Sequence, residues 1–214
     1  MSIIQNYLNI KNEIKSLNQN TKLIVVSKSR DLEKIKILLD QGHLDFGENK
    51  VQEAIEKWSI LTKNYTNVNL HLIGKLQSNK AKDAFNIFNY IHTLDNEKLA
   101  KIFSNLEISN NKKINYFVQV NIGNEFQKNG ISVSKVFEFV KYCKLDLKLN
   151  ILGLMCLPPI NDRPDLYFKK LKELSIDNDL KNLSMGMSSD YKVAISLGAS
   201  YVRIGSSIFE KRSN

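Results

Sequence analysis

Cysteine, proline and glycine are all scarce in this 214-residue chain, and each scarcity excludes something. The two cysteines, Cys143 and Cys156, lie far apart without metal-type spacing. That excludes a disulfide framework and fits reduced thiols in a cytoplasmic protein. Three prolines, Pro158, Pro159 and Pro164, and nine glycines leave no linker rich in either residue, so one domain over 1–214 is expected. No apolar run approaches the roughly 18 residues that a membrane span needs. The N-terminal stretch is interrupted by Gln5, Asn6, Asn9 and Lys11, so it lacks a signal-peptide core. Its apolar residues Ile3, Ile4, Leu8, Ile10 and Ile14 predict an amphipathic helix instead. The histidines His43, His71 and His92 are isolated, with no H-E-x-x-H pair, and read as core or rim residues. No nucleophile-elbow motif is present for Ser–His–Asp chemistry.

Lysine is what the chain has in abundance, and the formal net charge is +9. A basic balance can mark a nucleic-acid binder. Here the lysines are scattered beside asparagines, without an aromatic–basic motif for RNA, and read as solvated faces.

Short apolar runs alternate with longer helical patterns. The strand-like runs are 23–27, 44–47, 70–74, 90–94, 114–122, 150–157, 183–187 and 201–205. Between them, "DLEKIKILLDQG" aligns Leu32, Ile35, Leu38 and Leu39 on one helical face and stops at Gly42. Strands apolar enough to be buried on both sides, each followed by a helix, predict a parallel sheet. Eight such units predict an α/β protein, a single (β/α)8 barrel with an extra N-terminal helix. The first strand is followed by "SKSRD" rather than G-x-G-x-x-G, which argues against a doubly wound open sheet. The last helix, "SSIFEKR", must be short, and the N-terminal helix is expected to cover the surface left bare.

Barrel sites form at the carboxyl ends of the strands. After the first run stands Lys28, and after the second "GENKVQE" with Glu48 and Asn49. The loops after strands seven and eight commonly bind phosphate. Here they offer Ser184, Gly186 and Ser188, then Gly205, Ser206 and Ser207 before a helix start. Alternation puts Arg203 on the same face as Gly205; if that face is the barrel interior, Arg203 is a buried cation in need of a partner. A lysine that loses solvation near other cations becomes a nucleophilic amine. Lysine, phosphate cradle and arginine on one barrel mouth suit pyridoxal 5′-phosphate, with Lys28 forming the Schiff base. A Schiff-base aldolase acting on a sugar phosphate would use similar parts.

At these residues the chain resembles the pyridoxal phosphate homeostasis protein family. "VVSKSR", "FGENKVQEAIEK", "HLIGKLQSNKAK", "IHTLDNEKLA", "GLMCLPP" and "LSMGMSSDYKVAISLGASYVRIGSSIFEKR" carry the resemblance over nearly the whole chain. It implies a barrel like the N-terminal domain of bacterial alanine racemase, with pyridoxal 5′-phosphate held as an aldimine on Lys28. It also implies that Arg203 faces the pyridine nitrogen, that Ser184, Gly205 and Ser206 bind phosphate, and that Asn49 belongs to the pocket. Members of the family are carriers or regulators of cofactor supply and amino-acid balance, which makes pyridoxal phosphate-dependent apoenzymes the expected partners. Leu70, Lys75, Cys156 and Glu210 depart from the family pattern, and Lys75 and Cys156 bear on the pocket rim.

Racemisation needs acid/base groups on both faces of a carbanion, and only Lys28 is evident. An arginine opposite the pyridine nitrogen leaves that nitrogen unprotonated, because arginine does not give up its proton. The expectation is a monomeric cofactor-holding protein without strong catalysis. The alternative is a weak racemase or another Schiff-base enzyme using Lys28.

Overall fold

A computed structural model of the protein describes residues 2–125, 129–160 and 162–209. The chain opens with helix α1 (Ile3–Leu17), capped by the Ser2 hydroxyl, which accepts the Gln5 N–H at 3.2 Å. Its buried residues Tyr7, Ile10 and Ile14 fall at helical spacing on one face. Strand–helix units follow: β1 (Lys22–Val26), α2 (Leu32–Asp40), β2 (Asp45–Glu48), α3 (Val51–Leu61), β3 (Asn69–Leu72), α4 (Ala81–Ile87), β4 (Tyr90–Leu94), α5 (Glu97–Asn110) and β5 (Asn115–Asn121). A two-residue strand β6 (Ile131–Ser132) precedes α6 (Val136–Lys141), β7 (Asn150–Cys156), α7 (Pro164–Asp177), β8 (Asn182–Met187), α8 (Tyr191–Ser196) and β9 (Tyr201–Ile204).

All the strand pairings are parallel, in the order β4-β3-β2-β1-β9-β8-β7-β5, and β4 pairs with β5 to close the ring. The result is the expected eight-stranded (β/α)8 barrel, with β6 attached to β5 outside it. Strand residues are buried on both faces because alternate side chains meet the helices outside and one another inside. Leu23 and Val25 join the outer layer, whereas Ile24, Phe117, Met155 and Tyr201 pack together in the interior. Helix α1 packs between α2 and α8, and its Asn6 side chain donates to the Ile208 carbonyl. It therefore covers the β9–β1 side of the barrel, as expected.

Two local expectations change. Residues 206–209 form turns rather than a helix start, with Ile208 and Phe209 N–H groups both donating to the Gly205 carbonyl, and 210–214, including Glu210, lie outside the described residues. The helix expected after the fifth run continues from α6 into a π-turn (Tyr142–Asp146), closed by Leu147 N–H donating to the Tyr142 carbonyl at 3.1 Å.

Helix α5 depends visibly on its cap: Asn96 Oδ1 accepts the Leu99 N–H at 2.9 Å. Asn96→Ala is expected to cost about 1 kcal/mol, the usual value of a lost side-chain cap, as a lower urea midpoint at unchanged slope.

Candidate functional site: a cationic cavity at the barrel mouth

The inward positions of β1 are Lys22, Ile24 and Val26, and continuing the alternation brings Lys28 over the carboxyl end of the barrel. Lys28 and Ser29 are the central residues of a turn closed by Arg30 N–H donating to the Ser27 carbonyl at 3.1 Å. Ser29 adopts a left-handed φ of 52° there, a conformation costly for a residue with a Cβ. Glu53 offsets that cost by accepting the Ser29 N–H.

Behind the turn lies a buried ionic cluster. Lys57 Nζ lies 2.6 Å from Glu48 Oε1, 2.9 Å from Glu53 Oε1, and donates to the Ser27 carbonyl at 2.8 Å. Glu48 Oε1 also accepts from the Ser27 hydroxyl at 2.7 Å and the Trp58 indole at 3.1 Å. Burial raises the Glu48 pKa above the usual carboxylate range, against the pull of Lys57, Ser27 and Trp58. Glu53 is lowered: its bonds to Ser29 and Lys57 outweigh a larger single contribution from burial. Glu48 and Glu53, five residues apart, thus act together on Lys57 and fix the turn that carries Lys28.

The cavity over the barrel has a volume of about 770 Å³. Of the six residues expected at a site, Lys28, Asn49, Arg203, Gly205 and Ser206 line it. Lys28 itself is exposed, so the protein alone does not supply the desolvation expected of it. Ser184 does not line the cavity. It is fully buried below, paired in register with Tyr201, and its hydroxyl and carbonyl accept from Arg203 Nη1 at 2.7 Å. Ser188 and Ser189 are the residues of that loop in the cavity wall. A bulge between Ser184 and Met187, with Gly186 at φ 92°, breaks the period of two, so alternation could not tell which serine reaches the ligand.

Four cationic side chains line the cavity, Lys28, Arg30, Lys50 and Arg203, against the single carboxylate of Glu53. Such a wall suits an anionic ligand. Arg203 is buried, and among the described residues no carboxylate pairs with it. Three of its five N–H groups are engaged, two by Ser184 and one by the Cys156 carbonyl at 2.9 Å, leaving donors on a cation that lines the wall. Close backbone approach shapes the rest. A Cβ on Gly74 would lie 2.2 Å from the Asn49 carbonyl oxygen, and one on Gly205 would lie 3.0 Å from the Val26 carbonyl.

The two departures of most concern stay out of the wall: Lys75 is exposed elsewhere, and Cys156 is buried with its thiol pushed up to about 12. Among the described residues no cluster of histidine, cysteine and carboxylate could hold a metal, and no helix is long and apolar enough to cross a membrane.

This fold and cavity define a barrel of the alanine racemase type, and the family model for the alanine racemase N-terminal domain matches residues 2–212. The chain is 32% identical to the pyridoxal phosphate homeostasis protein of Haemophilus influenzae, over all of this chain and 94% of that protein. It is 37% identical to the one from Schizosaccharomyces pombe, over 91% and 85% respectively. The chain belongs to the pyridoxal phosphate homeostasis protein family. Among solved structures, PipY of Synechococcus elongatus without pyridoxal phosphate matches with a TM-score of 0.90 at 30% identity, covering 97% of this chain and all of that one. PipY with pyridoxal phosphate bound matches at 0.87 and 29%, with the same coverage. Alanine racemase of Clostridium difficile shares the fold at a TM-score of 0.76 and 16% identity, this whole chain covering 57% of that one.

Proposed function

We propose that this chain, as a single domain, binds pyridoxal 5′-phosphate through Lys28 and serves its homeostasis by storing, buffering or delivering it, with effects on amino-acid balance. The observation that carries the reading is one cationic cavity lined by a lysine on the β1 turn and a buried arginine from β9 with donors uncommitted. When bound, the cofactor supplies an aldehyde for a primary amine, a ring nitrogen that accepts a hydrogen bond, and an anionic phosphate. Lys28 is the amine. Arg203 is the donor for the ring nitrogen, and as a permanent cation it leaves that nitrogen unprotonated. Gly205, Ser206 and Ser188 hold the phosphate through hydroxyl and backbone donors, with Asn49 at the rim. A PipY structure with the cofactor bound supports the assignment.

The alternative, a racemase or another Schiff-base enzyme, requires a second acid/base group opposite Lys28. Tyrosine, histidine and cysteine are absent from the cavity wall among the described residues, and Glu53, the carboxylate there, is engaged by the Ser29 N–H and Lys57, which favours holding over turning over. Cytoplasmic location, a monomeric state and delivery to pyridoxal phosphate-dependent apoenzymes complete the proposal.

The test is the near-visible spectrum of the purified protein incubated with pyridoxal phosphate, followed by borohydride reduction and peptide mass mapping. A yellow band with the reduced label on Lys28, both lost in Lys28→Ala, is the expected result. A colourless protein, or label scattered over surface lysines, overturns the reading. A rate with amino acids that disappears in Lys28→Ala would favour the enzyme.

A further inference from the structure

The barrel interior carries polar groups that neither packing nor the cavity accounts for. His71 and His92 are both fully buried, on β3 and β4, stacked on Tyr90 at 4.3 Å and on Phe117 at 4.4 Å between ring centroids. They are joined to each other, His71 Nδ1 to His92 Nε2, at 2.9 Å. His71 Nε2 lies 3.1 Å from Asp45 Oδ1, and His92 Nδ1 lies 2.8 Å from the Ser184 hydroxyl. That hydroxyl accepts from Arg203 Nη1. The chain Asp45–His71–His92–Ser184–Arg203 therefore runs from the first residue of β2, at the amino end of the barrel, to the wall of the cavity at the carboxyl end.

Its direction is fixed by its two ends. Arginine can only donate, and an ionised carboxylate can only accept. Ser184 Oγ, taking the arginine N–H, turns its own hydrogen to His92 Nδ1. His92 Nε2–H then donates to His71 Nδ1, and His71 Nε2–H donates to Asp45. Both rings are neutral Nε2–H tautomers, in keeping with burial, which lowers both pKa values. Asp45 is lowered: burial, the largest single contribution, raises it, but the hydrogen bond from His71 and the nearby charge of Lys22 help to outweigh it. Every hydrogen bond points from cation to anion, and aligned bonds of this kind reinforce one another in a low-dielectric interior.

We propose that Asp45, His71, His92 and Ser184 are positioning residues that hold the Arg203 guanidinium in place for the ligand. Among the described residues no carboxylate pairs directly with Arg203, and the chain delivers the influence of one from the far end of the barrel. The ligand half of this statement rests on the cofactor reading above; the coupling of Asp45 to Arg203 does not.

Asp45 is the place to test it, being half-buried at the rim, where substitution spares the interior. Asp45→Asn keeps an acceptor oxygen for His71, and Asp45→Leu removes it. In the ligand-free protein, nitrogen-15 spectra of the imidazoles are expected to show Nε2–H tautomers for His71 and His92 in the native chain and in Asp45→Asn. Asp45→Leu reverses them and frees rotation of the Arg203 guanidinium, which is hindered in the native chain. With pyridoxal phosphate added, Asp45→Leu is expected to weaken binding roughly tenfold, the effect of one disturbed charge-assisted bond, with Lys28 still the labelled residue. Asp45→Asn stays within about twofold of the native chain on the same scale. Imidazolium or Nδ1–H signals in the native protein overturn the proposal. So do unchanged Arg203 signals, or unchanged cofactor affinity, in a folded Asp45→Leu variant. A failure of the cofactor reading appears separately, as no label on Lys28 in the native chain; the Arg203 signals then decide the coupling alone.

Discussion

Lys57→Met is expected to destabilise the protein by about 3–5 kcal/mol, the usual consequence of removing one member of a buried ion pair. Methionine retains the bulk of the lysine stem, so packing against α3 changes little. The loss is electrostatic. Lys57 Nζ is the cation beside Glu48, whose side chain is fully buried. Glu48 Oε2 has no hydrogen-bond partner among the described residues, so its charge depends on what reaches Oε1. Without the ammonium, only Ser27 and Trp58 remain there. The Ser27 carbonyl loses its Lys57 donor in the same step, and this carbonyl closes the turn that carries Lys28. Labelling of Lys28 should therefore slow along with the fall in the urea midpoint. The penalty is also pH-dependent. An unpaired buried Glu48 takes up a proton more readily in the folded than in the unfolded state, so the penalty shrinks as the pH falls. A Glu48→Gln/Lys57→Met pair removes both charges and should recover most of the loss. A single-variant cost below about 1 kcal/mol, the range of an exposed pair, would show that the cluster does not hold the turn.

This cluster marks where the sequence stops being legible. The eight strands read correctly because burial on both faces leaves short apolar runs that alternate with amphipathic helical patterns. Lys28 and Arg203 were readable because each follows from position at a strand end and from alternation along it. Lys57 was not: on α3 it looks like any solvated lysine, and only the fold brings it to Glu48 and Ser27. The histidines are a second case. His71 and His92 stand 21 residues apart with no motif between them, and their contact depends on the side-by-side placement of β3 and β4. Ser184 illustrates a third limit. Its face was predictable, but its depth was not, because depth follows from inter-strand register and from the bulge at Gly186. Residue type and spacing report which way a side chain points; they do not report which level of the barrel it occupies.

Stability should fall steeply between pH 6.5 and pH 5, well above the range in which carboxylates ordinarily titrate. Three rings are responsible. His43 is lowered to about 4 by burial, with Nε2 facing the Asp45 carbonyl at 2.8 Å and Nδ1 facing the Tyr7 hydroxyl at 3.2 Å. His71 is lowered by burial and by Lys22 against the support of Asp45; His92 is lowered by burial, by His71 and by Arg203. Tyr90 and Tyr201, which also face these rings, have raised pKa values and stay neutral throughout. A group with a depressed folded pKa binds fewer protons folded than unfolded. Its stabilisation is complete above the unfolded value, near 6.5, and is lost as the pH falls toward the folded value. His43 contributes up to about 1.4 kcal/mol per pH unit in that window, on the order of 2 kcal/mol by pH 5, and His71 and His92 add to it in the same direction. Glu48 and Asp95 work the other way, since a raised folded pKa favours the folded state as the pH falls, but they are two groups against three. Urea unfolding at pH 7, 6 and 5 measures the slope, and His43→Gln should remove about one ring's share of it. A free energy of unfolding flat from pH 7 to 5 would mean that the rings titrate alike in the folded and unfolded chains, and one that rises as the pH falls would mean that they are already charged in the native protein. That result would also remove the neutral tautomers on which the Asp45–Arg203 chain depends. The two outcomes are linked because a proton entering at His71 opposes the His92 N–H that faces it. The chain then reverses as far as Ser184, so acid lability of the fold and loss of support for Arg203 arise from the same protonation.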